Sequence, residues 1–308
     1  MNQNQHIFRA SGKLLLTGEY FVLDGAVALA LPTQLGQTMQ AIENQCKKII
    51  WNSFDINGKS WFQGVFDLPS GEYETGNDEE SGRRLSQIFN AILQQKPTFF
   101  QQYQGLYVET RLEFPLQWGL GSSSTLLANL ARWSGTDAYA LLRDTFGGSG
   151  YDLACAQAKG PILYQLYHGK PRVQAVMFKP IFHQNLYFIY LGKKQNSREG
   201  IARYRKKVQQ QPAIMMQIST LTEQFMTCKD LPTFESLIRQ HESVVSAILE
   251  LPRAKDLYFQ DFPGEIKSLG AWGGDFVLAA SAFSQEETKA YFNEKGFDIV
   301  ITYESMIL

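Results

Sequence analysis

The stretch PLQWGLGSSSTLLANLARW, residues 115–133, constrains the chain more than any other. It sets Gly119 and Gly121, then Ser122, Ser123 and Ser124, directly before a run of good helix formers. The strand-like GLYVETRLEF precedes it, so the local order is strand, glycine loop, helix. The first-turn N–H groups of a helix lack intrahelical acceptors, and the helix dipole adds partial positive charge there. Glycines let a phosphate approach the backbone, and serine hydroxyls donate to it or ligate its Mg2+. The same residues also suit an N-capped helix start after a tight turn, so composition alone leaves both readings open. The stretch is neither a Walker A loop, which needs a lysine after its last glycine, nor the GxSxG nucleophile elbow.

Two more glycine patches and one lysine stand out. In GGSGYD, Gly147, Gly148 and Gly150 deliver Tyr151 and Asp152 to the start of an apolar segment. Asp152 there is either an N-cap or a positioned general base, and no histidine is placed to make Ser149 a nucleophile. In GAWGGDF, Gly270, Gly273 and Gly274 lead into a strand, a pattern that by itself marks only a bulge or a close backbone approach. In SGKLLLTGEY, Lys13 opens an otherwise apolar run. It is either a surface lysine at a strand end or a cation held near a reacting oxyanion or beside Asp152.

The rest of the chain sets bounds. Its 308 residues, 44% hydrophobic, suit two domains or one large one. A net charge of -1 gives no support for a nucleic-acid or anionic-membrane partner. Cys46, Cys155 and Cys228 are too scattered for a disulfide framework or a metal motif. The start MNQNQHIFRA lacks the pattern of a signal peptide, and no apolar run spans a bilayer, so a soluble cytoplasmic protein is expected.

Strands and helices alternate without a steady strand-helix-strand rhythm, which predicts an α+β fold. We place a domain boundary near Lys179 and Pro180, giving residues 1–179 and 180–308. AVALALP reads as a buried strand ended by Pro32, and the acidic stretch 69–82 reads as a solvated loop. Spacing predicts a helix over 83–95, with Leu85, Ile88, Phe89 and Ile92 on one face. Another, beginning near Arg198, is interrupted by Pro212. The clearest helix, 232–251, carries Phe234, Leu237, Ile238, His241, Val244, Val245 and Ile248 on one stripe, with His241 read as buried rather than catalytic. FDIVITYES reads as a last strand.

Taken together, the four patches resemble the GHMP kinases, the family of galactokinase, homoserine kinase, mevalonate kinase and phosphomevalonate kinase. SGKLLLTGEYFVLDGAVALA is similar to that family's first motif, PLQWGLGSSS to its second and KSLGAWGGDFVLA to its third. GEY with VLDG, and GSGYDLA, look most like phosphomevalonate kinases. GYDLA also resembles a bacterial subgroup with a GYDIA signature. The resemblance implies a two-domain fold, with an ATP-binding N-terminal domain like the second domain of ribosomal protein S5 and a ferredoxin-like C-terminal domain. It implies ATP and Mg2+ as cofactors and a small-molecule alcohol or phosphate as acceptor, with mevalonate and phosphomevalonate first. Oligomeric state stays open between monomer and homodimer.

Carried over by position, Gly119, Leu120, Gly121, Ser122, Ser123 and Ser124 would cradle the phosphates, with Ser123 a Mg2+ ligand. Asp152 would accept the substrate hydroxyl proton, with Lys13 beside it. Glu19, Tyr151, Gly270, Gly273 and Gly274 would face the substrate. Lys193 and Lys194, with Arg198, would meet an acceptor phosphate or form a solvated basic loop. Three departures stand against this pattern. Leu141 occupies the position of the usual Mg2+-binding Glu, with Asp137 and Asp144 as flanking stand-ins. The segment before GYD is short. Trp272, which could wall off the pocket, and Asp275 alter the third motif. An ATP-dependent decarboxylase and a non-catalytic binding relative are the rival readings.

Overall fold

The computed structural model describes residues 5–193, 197–207, 212–270 and 272–308. The chain divides into two compact units. The first comprises Met1–Gly12, Leu35–Leu116 and Leu120–Gln157; the second comprises Lys13–Gln34, Gln117–Gly119 and Ala158–Leu308. The division falls inside β1 (Gln5–Leu15) and β2 (Ala28–Glu43).

The first unit adds β3 (Lys48–Phe54), β4 (Ser60–Asp67), β5 (Tyr73–Gly76), α1 (Glu79–Gln95), β6 (Leu106–Leu112), α2 (Ser122–Ser134), α3 (Ala138–Thr145) and α4 (Tyr151–Gln157). Its strands lie in the order β5-β4-β3-β6-β2. The β3–β6 pair is parallel, and β4, β5 and α1 supply the long crossover that a parallel pair requires. Residues of β4 alternate between buried and less buried, as a sheet with one covered face demands. Trp51, Phe62, Phe66, Phe89, Phe100 and Trp133 fill the core. Phe89 meets Phe66 and Phe100 edge-to-face at 5.2 and 5.3 Å, the geometry that ring quadrupoles prefer. The helix expected over 83–95 is α1, with Leu85, Ile88, Phe89 and Ile92 buried. It begins four residues earlier, however, because the Asp78 carboxylate accepts the Ser81 N–H at 3.0 Å and Glu79 and Glu80 complement the dipole. The acidic stretch is therefore partly β5 and partly a helix start rather than a loop throughout.

The second unit holds β7 (Ile162–Tyr167), β8 (Lys170–Ala175), β9 (Leu186–Tyr190), α5 (Ser197–Lys207), α6 (Pro212–Thr227), α7 (Leu231–Leu249), α8 (Ala254–Tyr258), β10 (Glu265–Ser268), β11 (Phe276–Ala280), α9 (Gln285–Glu294), β12 (Val300–Thr302) and α10 (Tyr303–Met306). β10-β11-β9-β12 form a four-stranded antiparallel sheet. Pro32 does not end a strand: β2 runs through it, between the residues that pair with β7 (28–30) and those that pair with β6 (37–43). A missing N–H is tolerated where ladder partners change. The last strand is shorter than expected. The Thr302 hydroxyl accepts from the Ser305 N–H at 3.3 Å and turns the chain into α10.

α7 starts at the Asp230 cap with proline in its first turn. Its buried face holds Phe234, Leu237, Ile238, His241, Glu242, Val245 and Leu249, while Val244 and Ile248 are only half-buried. Pro212 opens α6, as its fixed φ allows at a helix start. The two sheets with helices segregated around them are the α+β arrangement expected. Among the described residues no helix is long and apolar enough to cross a membrane.

Candidate functional site

The first unit presents the start of α2. Its N-cap is Gly121 at φ +89°, which makes no side-chain cap, so the first-turn N–H groups keep capacity for an outside acceptor. Ser122 is half-buried and Ser123 exposed, whereas Ser124 and Leu120 are buried. The Leu120 side chain is packed away from solvent. The first turn is fixed from behind. Thr125 Oγ1 donates to Gln37 Oε1 at 2.8 Å, and Asn129 Nδ2 donates to the Gln37 carbonyl at 3.0 Å, all buried.

α4 packs against α2 in the same unit. It is reached through Gly147, Gly148 and Gly150, all at positive φ, a backbone path that a side chain would strain. Tyr151 and Asp152 lie in its first turn, both half-buried. Asp152 Oδ1 is buried and has no hydrogen-bond partner among the described residues. A carboxylate oxygen left without a donor is unusual and calls for an explanation.

The two acids that flank Leu141 are both engaged in local contacts. Leu141 is fully buried. Asp137 is committed as the N-cap of α3, accepting from Tyr139 N at 2.9 Å and Ala140 N at 3.3 Å. Asp144 bonds Arg143 Nε at 3.2 Å. Among the described residues no group of three His, Cys, Asp or Glu could hold a metal ion. A divalent cation would thus rely on hard oxygens of phosphate and hydroxyl, and Ser123 is the exposed hydroxyl at the start of α2.

The second unit holds the two ends of the family pattern. Lys13, half-buried, donates through Nζ to the Gly119 carbonyl at 2.9 Å. Gly119 is kept in place by its neighbours: Tyr190 donates to the Gln117 carbonyl at 3.2 Å, and Trp118 lies edge-on to Phe276 at 5.3 Å. Gly119 adopts φ +66°, and a Cβ there would collide with the Asp275 carboxylate. Asp275 itself sits at φ +51°, a strained position for a residue other than glycine. The altered residue of the third motif thus lies against the first glycine of the second motif. No local pattern in the sequence announces that contact.

In the third glycine loop, Gly270 and Gly273 have φ of +68° and +88°, and Gly274 leads into β11. Trp272 is buried: its N–H donates to Tyr20 Oη at 2.9 Å and its indole Nε1 to the Pro252 carbonyl at 3.0 Å. Lys193 is exposed, with its ammonium 5.5 Å from the centre of the Tyr258 ring. Lys194 lies outside the described residues.

Glu19 belongs to a buried group of charges that the sequence did not reveal. Glu19 Oε1 accepts from Lys267 Nζ at 2.5 Å, and Lys267 lies 3.5 Å from Glu242 Oε1. Glu242 also accepts from Ser268 N and Oγ, each at 3.1 Å. His241 Nε2 accepts the Gly18 N–H at 3.1 Å and stands 3.4 Å from Glu19 Oε2. All four charged or titratable side chains are at most 1% exposed. Burial, partly offset by Lys267, raises the Glu19 carboxyl and lifts Glu242 to about 7. Burial and the Lys267 charge hold His241 well below its ordinary value, in keeping with a neutral ring.

No protein-family model and no curated protein sequence matches the chain. Solved structures do. The Methanococcus jannaschii mevalonate kinase superposes with a TM-score of 0.70 at 18% identity, covering 97% of each chain. The Streptococcus pneumoniae phosphomevalonate kinase, in complex with phosphomevalonate and AMPPNP, gives 0.69 at 16%, covering 96% of this chain and 99% of that one. The Lactococcus lactis galactokinase complexed with galactose gives 0.65 at 15%, covering 95% and 89%. The fold is therefore the two-domain fold of the GHMP kinases.

Proposed function

We propose that the protein is an ATP-dependent kinase that phosphorylates a small-molecule alcohol or phosphate, with mevalonate and phosphomevalonate the first acceptors to try. The observation that carries the reading is Asp152 Oδ1, a buried carboxylate oxygen with no donor among the described residues, at the start of a helix packed on α2. A hydroxyl arriving at that oxygen supplies the missing donor, and the carboxylate orients it and takes its proton. The uncapped start of α2, with Gly121, Ser122, Ser123 and Ser124, suits the nucleotide phosphates. Lys13 donates to the Gly119 carbonyl within its own unit, and its ammonium is the group proposed to stabilise developing negative charge. Ser123 is the side chain assigned to Mg2+, which when bound neutralises phosphate charge. Tyr151, Gly270, Gly273, Gly274, Lys193 and Lys194 remain the proposed acceptor side. We retain 1–179 and 180–308 as the proposed domains.

The test is a coupled ADP-release screen over mevalonate, 5-phosphomevalonate, homoserine and simple sugars, with Mg2+ and ATP. Sustained ADP release with one of them supports the reading. ATP binding with no ADP release from any of them favours the second reading, a binding protein that kept the fold without turnover. That alternative is favoured by buried Leu141 and the lack of an acid group suited to a metal among the described residues.

A further inference from the structure

We propose that Glu19 and Tyr20 form a two-residue clasp that sets the third glycine loop, with Lys267 the group through which Glu19 acts. The substrate arm of this inference rests on the kinase reading; its exchange arm does not.

The two residues are consecutive, yet they reach two separate points, one at the start of the loop and one inside it. Glu19 binds Lys267, which sits immediately before Ser268 at the end of β10 and also donates to the Ser268 carbonyl at 3.0 Å. Tyr20 accepts the Trp272 N–H from inside the loop. Tyr20 reaches it from φ +64°, a conformation that bulky residues avoid. Such strain persists only where the surroundings over-determine it, and it gathers at positions that set a site. Gly270 and Gly273 let the loop bend but leave it free to bend in several ways. The two pins choose one.

The cluster is poorly built for stability alone. Two carboxylates share one ammonium, and apolar side chains of the same shape often stabilise a fold as well or better. Glu19 Oε2 and His241 Nδ1 are buried without hydrogen-bond partners among the described residues, which adds a penalty. What the arrangement does supply is a fixed relation of Glu19 and Tyr20 to Lys267 and Trp272. Glu19 on this account is a positioning residue, closed off from any substrate.

The test uses the full chain carrying Glu19→Gln, Lys267→Met and Glu242→Gln together. These changes remove every charge from the cluster, keep side-chain size and leave Ser268 an amide oxygen to bond. Three quantities are read: the thermal midpoint, amide hydrogen exchange over 268–276 with 162–175 as internal reference, and KM for ATP and for mevalonate or 5-phosphomevalonate. The expected result is a midpoint close to wild type and exchange over 268–276 faster by about tenfold, the size of one lost net hydrogen bond. Acceptor KM should rise by about tenfold with ATP KM unchanged. Unchanged exchange over 268–276, a uniform rise across both segments, or an equal rise in both KM values overturns the clasp. Should the triple variant not fold, Tyr20→Phe decides. Exchange faster at Trp272, with 162–175 unchanged, supports the clasp; no change at Trp272 overturns it. Wild-type protein that releases no ADP with either acceptor removes the proposed substrates, while the exchange arm still decides the clasp.

Discussion

Asp152 and Glu19 are acids set just past glycines, in two motifs of comparable sequence appeal, and their surroundings differ in kind. Asp152 is half-buried, with one oxygen that lacks a donor among the described residues. Glu19 is closed off from solvent and holds Lys267 at 2.5 Å. Glu19 also has an oxygen without a donor, so an orphan atom alone does not mark a reactive acid. Reach does. Asp152 keeps part of its surface in solvent, the side from which an acceptor hydroxyl can approach, whereas Glu19 keeps almost none and can only organise its own backbone. On the proposed reading, chemistry falls to one acid and architecture to the other.

The largest expected effect tests the reactive member. Asp152→Asn keeps shape and removes basicity, so ADP release should fall by a factor of about 10² to 10⁴ with an unchanged thermal midpoint. Normal turnover by that variant would abolish the contrast. The next effect tests the architectural member. Lys267→Met alone strands Glu19 and Glu242 in the interior, and losing one partner of a buried ion pair costs about 3–5 kcal/mol. Urea unfolding of this variant against wild type measures it. A loss below 1 kcal/mol, on the order of a surface pair, would mean the cluster is hydrated and not sealed.

A third test uses pH. Glu242 sits at about 7 in the folded chain, against its ordinary 4.5, so between those values the folded state binds more proton than the unfolded one. Stability from this group is full below 4.5 and is lost as pH rises to 7, by about 3 kcal/mol in all. His241 runs the other way. Its depressed value makes the unfolded chain take the proton first, so its contribution is lost as pH falls below 6.5. Wild-type stability minus that of Glu242→Gln cancels the His241 term. The difference should decline through that window and flatten on either side. A difference that is flat with pH would show that Glu242 is not held protonated.

Some of this was legible in the sequence, for physical reasons. Three glycine patches were visible because positive φ at Gly119, Gly121, Gly147, Gly148, Gly150, Gly270 and Gly273 excludes other residues locally. The α7 stripe was visible because burial repeats with the helix period, and His241 is buried as read. Glu242 was overlooked although it follows Ile238 by four residues and precedes Val245 by three, the spacing of that same face. A charged residue on an apolar stripe was the available signal. Lys267 carried none, since its partner Glu19 lies 248 residues away. The Asp275 carboxylate against Gly119 is likewise a product of tertiary folding. Pro32 misled because a local rule about strands ignores which neighbours the strand has at that point.

The smallest effect concerns Asp137, an acid that the family pattern offered as a stand-in for the missing metal ligand. Its carboxylate already accepts two N–H groups at the start of α3, so it resembles Glu19 in being committed, while it is exposed to solvent where Asp152 is half-buried. If commitment decides, Asp137→Ala removes a helix cap and nothing else. Stability should fall by about 1 kcal/mol, while the Mg2+ dependence of AMPPNP binding, followed by titration calorimetry, stays as in wild type. If exposure decides, the Mg2+ concentration needed for half-maximal binding rises with little change in the absence of Mg2+. That outcome would return Asp137 to the metal and restrict the contrast between reactive and architectural acids to carboxylates buried on every side.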